Sequence, residues 1–127
     1  MVNLTILHWR LTLNLLDLQH ELELEYFGYE SRDLTDPELT EFVRDQILDL
    51  IAEATELLNS FHWKLWDSEV GSLDIEHSRE ELIDILFFWL NLANALGLDE
   101  KAIEQLYLAK RDKVINRVKA GQVGETR

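Results

Sequence analysis

From Phe42 to Phe61 the apolar residues Ile47, Leu50, Ile51, Ala54, Leu57 and Leu58 return at the three- and four-residue spacing of one helix face. Nothing in that stretch interrupts the pattern, because the only proline is Pro37 and none of the five glycines falls inside it. An amphipathic helix of this length has to lay its apolar stripe on other elements, which restricts the chain to helix-on-helix packing. Its start is marked by Asp36 as N-cap, Pro37 at the first helical position and Glu38 in the first turn. The pattern predicts an end near Trp63 to Trp66.

Three further helices are expected. Leu11 to Phe27 is rich in leucine and helix-forming polar residues, with Gly28 as its stop and residues 28–35 as a loop. After a second loop at 67–73, a helix begins between Asp74 and Ser78 and runs to Leu96, stopped by Gly97. Its middle, IDILFFWLNLANAL, is apolar on nearly every side, the mark of a central helix. In so short a chain, association of subunits is the ready way to cover it, so a homodimer or homotetramer is expected. Asp99 caps a last helix through about Lys119, with residues 118–127 as a mobile tail. No stretch alternates like a strand. The expectation is an all-α bundle of four to five helices in a single domain, 1–127, with its core completed by oligomerisation.

There is no cysteine, which removes disulfides and thiolate chemistry and suits a reducing cytoplasm. The residues after Met1 lack the basic region of a signal peptide, and the longest purely apolar run, Ile85 to Leu90, is far short of a membrane span. A soluble cytoplasmic protein without a membrane partner is expected. The net charge of −13 argues against a nucleic-acid partner, whose phosphates require Lys and Arg. A polyphosphate remains a suitable ligand if cations stand between the two negative partners.

Two acidic pairs are placed to hold such cations. Glu53 and Glu56 are three residues apart on the long helix, and Glu81 and Asp84 repeat that spacing on the central one. Asp84 runs directly into the apolar segment, where a carboxylate is costly unless it is paired or bound to metal. Mg²⁺ prefers carboxylate oxygen and keeps coordination positions for phosphates. Each pair also has an ordinary explanation: Glu53 and Glu56 as solvated surface, and Glu81 as the far half of a capping box with Ser78. Trp63 and Trp66 flank Lys64, an arrangement that offers an indole to a base and a cation to a phosphate, or simply packs a helix end.

With these residues in view, the sequence resembles the all-α NTP pyrophosphatase superfamily of dimeric dUTPases, MazG-like enzymes and phosphoribosyl-ATP pyrophosphohydrolases. EATELLNSFHWKLW is similar to the first metal motif followed by a tryptophan-containing turn, and EELIDILFF to the second. LLDLQHEL resembles the first-helix segment in which a glutamine lies near the base pocket, and YLAKRDKVINRVKAG resembles the late phosphate-contacting stretch. The resemblance implies Glu53, Glu56, Glu81 and Asp84 as ligands of catalytic Mg²⁺, with Mn²⁺ as a substitute. It further implies substrate contacts from Gln19, Lys64, Asn91, Lys110, Lys113, Asn116 and Arg117, beside the two tryptophans. Lys64, eleven residues beyond Glu53, would return to the same helix face, and Asn91 lies two turns past Asp84 on its side. Phe87 departs from the histidine common in dimeric dUTPases.

The reaction implied is magnesium-dependent cleavage of a (deoxy)nucleoside triphosphate to the monophosphate and pyrophosphate. The base stays open between dUTP and another dNTP such as dATP, dGTP or dCTP. Two other readings compete. Di-iron bundles use E-x-x-H pairs, which this chain lacks. A non-catalytic acidic assembly protein would use the apolar helix and the charged surface instead.

Overall fold

The computed structural model describes residues 15–121; the expected helix residues 11–14 and tail residues 122–127 lie outside them. The described elements are helices α1 (Leu15–Leu22), α2 (Glu38–Asn59), α3 (Ile75–Ala95) and α4 (Glu100–Lys119). There is no strand among the described residues, so the chain is all-α. The backbone divides after Gly97 into two compact units.

In the first unit, α3 packs against both α2 and α1. Early residues of α2 meet late residues of α3, as Gln46 bonds Asn91, while Glu53 of α2 lies by Glu81 and Asp84. That crossed register makes the two helices antiparallel. Leu16, Phe42, Leu90 and Ala93 form the buried apolar core. Much of α3's apolar surface is left uncovered in the single chain, including Leu82, Ile83, Phe87 and Trp89.

α1 passes into a π turn, Glu23–Phe27, which Gly28 closes in the left-handed conformation (φ 75°) by donating its N–H to the Glu23 carbonyl. Only glycine takes that conformation without a Cβ penalty. Residues 28–35, expected as plain loop, contain a short 3₁₀ turn, Ser31–Asp33, in which Ser31 is buried. The next residue, Arg32, ties this turn to two helices. Its guanidinium donates to Asp17 of α1 at 2.7 Å and to Asn94 of α3 at 3.2 Å, and Asn94 in turn donates to the Leu16 carbonyl. His20 and Glu30 close the same turn at 2.6 Å.

α2 begins at Glu38, with Pro37 at the cap position, one residue later than expected. Asp36 still serves the first turn by accepting from the backbone N–H and hydroxyl of Thr40. α2 ends at Asn59, a turn before the expected Trp63 to Trp66. The Ser60 hydroxyl and N–H both turn back onto the Leu57 carbonyl, and His62 then pairs with Gly71 across the loop. Local side-chain bonds of this kind compete with helix continuation. α3 is capped by Asp74, which accepts from the His77 N–H at 3.1 Å. The capping box offered as the ordinary explanation of Glu81 does not form, because Ser78 already lies inside the helix.

The second unit is α4, capped as expected by Asp99, which accepts from the Ala102 N–H at 2.8 Å. It carries no buried residue, and its basic residues apart from Lys101 lie in the second half.

Candidate metal centre

Glu53 projects from α2 toward α3, where Glu81 and Asp84 stand one helical turn apart. One carboxylate oxygen from each of the three lies within 4.8 Å of the others. That spacing suits ligands around a single hard cation. Two oxygens, Glu53 Oε2 and Glu81 Oε2, are buried with no hydrogen-bond partner. A buried carboxylate oxygen left in that state costs free energy that a divalent cation would recover. The donor set, all carboxylate and no thiolate or imidazole, fits Mg²⁺ or Mn²⁺.

Glu56 is not among the three convergent groups, but its carboxylate acts on that of Glu53. The Glu53 carboxyl is held above its ordinary range, first by burial, then by repulsion from Glu56, then by the charges of Asp84 and Glu81. His77 approaches Glu81 at 3.4 Å, so Glu81 has an imidazole neighbour at its exposed side.

The loop between α2 and α3 carries the expected aromatic pair. Lys64 Nζ lies 5.9 Å from the ring centroids of both Trp63 and Trp66. Trp63 donates its indole N–H to Asn59, whereas Trp66 and Leu65 are 80% and 91% exposed. Since α2 stops at Asn59, Lys64 does not lie on the helix face of Glu53; the loop positions it. The base of that loop is a clasp: His62 Nδ1 meets Asp67 at 2.8 Å, and His62 Nε2 meets Glu69 at 3.3 Å.

The clasp carries a pH prediction. The bond to Asp67 and its charge raise the His62 pKa above 6.5, while the Glu69 N–H and His62 lower that of Asp67 below 3.8. The histidine's contribution is complete below 6.5 and is lost as pH rises through its raised value. The aspartate's contribution is present above 3.8 and is lost as pH falls through its lowered value. The loop is therefore held most firmly between those limits. NMR titration should place the His62 ring above the ordinary value, with amide protection across 62–71, taken relative to the intrinsic exchange rate at each pH, falling as it deprotonates. A His62 that titrates normally, with protection unchanged across that range, refutes the clasp.

Gln19 and Asn91, expected at the substrate, are brought together in the core. Gln19 Nε2 donates to Asn91 Oδ1 at 3.0 Å, and Asn91 Nδ2 donates to Glu23 at 2.9 Å and to Gln46 at 2.8 Å. Asn91 is 1% exposed. Gln19 is likewise buried, against its alternative reading as a surface residue. Sequence reasoning missed Glu23 and Gln46; the signal was a polar residue at a core-facing helix position. In α4, Lys110, Lys113 and Arg117 share a face by their spacing, with Asn116 beside them.

A family model described as dUTPase matches residues 12–120. The chain belongs to this all-α dUTPase-like family of nucleotide pyrophosphatases. No curated protein and no solved structure matches it. Among the described residues, no single helix is long and apolar enough to cross a membrane.

Proposed function

We propose that the protein is a magnesium-dependent nucleoside triphosphate pyrophosphohydrolase that converts a (deoxy)NTP, dUTP or another dNTP, to the monophosphate and pyrophosphate in controlling the nucleotide pool. The observation that carries this reading is the unpartnered buried oxygen on each of Glu53 and Glu81, in a set where one carboxylate oxygen each of Glu53, Glu81 and Asp84 lies within 4.8 Å of the others. Family membership supports the same class of reaction.

Glu53, Glu81 and Asp84 would hold the metal, with Glu56 joining when ions enter. Bound Mg²⁺ supplies neutralisation of the phosphate charge and acidification of water. A carboxylate oxygen of Glu53 left free of the metal would orient the attacking water and accept its proton. Lys64 would meet phosphate charge, and Trp63 or Trp66 would offer a stacking face. Lys110, Lys113, Asn116 and Arg117 of α4 present a basic face suited to phosphate. A homodimer or homotetramer would cover the exposed apolar surface of α3.

The test is incubation with Mg²⁺ and each common dNTP and NTP, resolving products by ion-exchange chromatography. Monophosphate with pyrophosphate, lost on chelation, is the expected result. No turnover of any triphosphate with Mg²⁺ or Mn²⁺ would return the acidic helices to a non-catalytic assembly role.

A further inference from the structure

Ser78 does not cap α3, and its hydroxyl has no other task in the fold. It stands in the first turn of the helix, where its backbone N–H donates to the carbonyl of the Asp74 cap at 2.9 Å. A helical serine ordinarily turns its hydroxyl onto the carbonyl four residues back or out to water. This one does neither. Ser78 Oγ is buried and has no hydrogen-bond partner, a state that costs free energy until something satisfies it.

Four buried side-chain oxygens lack a partner among the described residues, and three of them belong to the meeting of α2 and α3: Glu53 Oε2, Glu81 Oε2 and Ser78 Oγ. Ser78 precedes Glu81 by three positions, so their side chains are neighbours on one face of α3. The antiparallel register agrees. Glu53 meets Glu81 and Asp84, and one turn further along the pair Glu56 comes opposite Ser78 and Glu81. His77 approaches the other Glu81 oxygen, Oε1, at 3.4 Å, which leaves the buried Oε2 for the side of Ser78. An ionised carboxylate only accepts, whereas a serine hydroxyl also has a proton to donate.

We infer that Ser78 is a positioning residue for the cation, its hydroxyl holding the Glu81 carboxylate in place through a water that enters with the ion. The inference rests on the metal reading above. Ser78 Oγ and Glu81 Oε2 are beyond direct bonding reach of each other, since neither has a partner. A water between them accepts from the hydroxyl and donates to carboxylate oxygens of Glu81 and Glu53, as many partners as a buried water ordinarily has. Each carboxylate oxygen keeps a second lone pair for the ion. Groups of this kind touch no metal, yet by fixing its ligands they set its affinity.

The experiment is a calorimetric titration of the metal-free protein with Mg²⁺ and with Mn²⁺, without nucleotide, for the wild type and Ser78→Ala. The Tm of each metal-free protein is measured beside it. Ser78→Ala should bind both ions about ten- to a hundredfold more weakly. Its metal-free Tm should equal or exceed that of the wild type, because alanine removes a buried hydroxyl that nothing satisfies and is the better helix former. Lost packing alone cannot weaken the ion while sparing the metal-free fold. An affinity loss short of that range overturns the inference and leaves the carboxylate site standing. A lower metal-free Tm, whatever the affinity, also overturns it, since Ser78 would then be an ordinary packing residue. If the wild type itself binds neither ion, the metal reading fails and the role of Ser78 falls with it.

Discussion

Asp84→Asn, and equally Glu56→Ala, is expected to lower turnover about a thousandfold or more, the loss of several kcal/mol of metal-assisted transition-state stabilisation. Helical circular dichroism should be unchanged. The stability of the metal-free variants separates this from structural damage. The Glu53 carboxyl is raised by burial, by Glu56 and then by Asp84 and Glu81, so its contribution to stability is complete below the ordinary 4.5 and is lost as pH rises through the raised value. At neutral pH the assembled carboxylates therefore oppose folding until a cation joins them. Removing one should leave the metal-free protein as stable as the wild type, or more so, while abolishing the rise in Tm that Mg²⁺ gives the wild type. That rise should itself fade as pH drops into the carboxylate range, where protons replace the ion. An Asp84→Asn protein that keeps its activity, or its Mg²⁺-dependent rise in Tm, would remove Asp84 from the site.

The all-α class was legible because helix periodicity and terminators act locally. The Asp99 cap and the Gly28 and Gly97 stops needed only their neighbours in sequence, whereas the start of α3 was open between Asp74 and Ser78. The acidic pairs were legible for the same reason, since a three-residue spacing on a helix fixes a shared face. Where α2 ends was not. Apolar spacing continues to Phe61, but the bonds of Ser60 to the Leu57 carbonyl and of His62 to Asp67 and Gly71 stop the helix, and the last two depend on residues five and nine positions away. The error moved Lys64 from a helix face to a loop. Arg32 is a similar case: in a segment that reads as loop, its partners Asp17 and Asn94 lie fifteen and sixty-two positions away. Glu23 and Gln46 were passed over because polar residues on amphipathic helices usually face water. Only the meeting of three helices at Asn91 shows that these two face inward.

That meeting gives the second large expected effect. Asn91→Asp is nearly isosteric, yet it replaces a nitrogen that donates to Glu23 Oε1 at 2.9 Å and to Gln46 Oε1 at 2.8 Å by an oxygen that repels both. The bond accepted from Gln19 survives, so the change isolates the two lost donors and one introduced charge. With Asn91 1% exposed, water cannot relieve the clash, and the expected loss is about 3–5 kcal/mol at neutral pH. For a chain of this size that lowers Tm by roughly 15 °C. Repulsion from Glu23 would raise the pKa of the introduced carboxyl. The variant should therefore recover part of its stability as pH falls toward the carboxylate range and protonation restores a donor. Asn91→Leu, which removes the donors without adding charge, should lose stability with no such recovery. Urea denaturation at pH 7.5 and pH 5 measures both. An Asn91 that served only as a sugar or phosphate contact would behave differently: the substitution would raise KM and leave the denaturation midpoint where it was. A midpoint for Asn91→Asp within experimental error of wild type would thus dissolve the buried network and return Asn91 to the substrate.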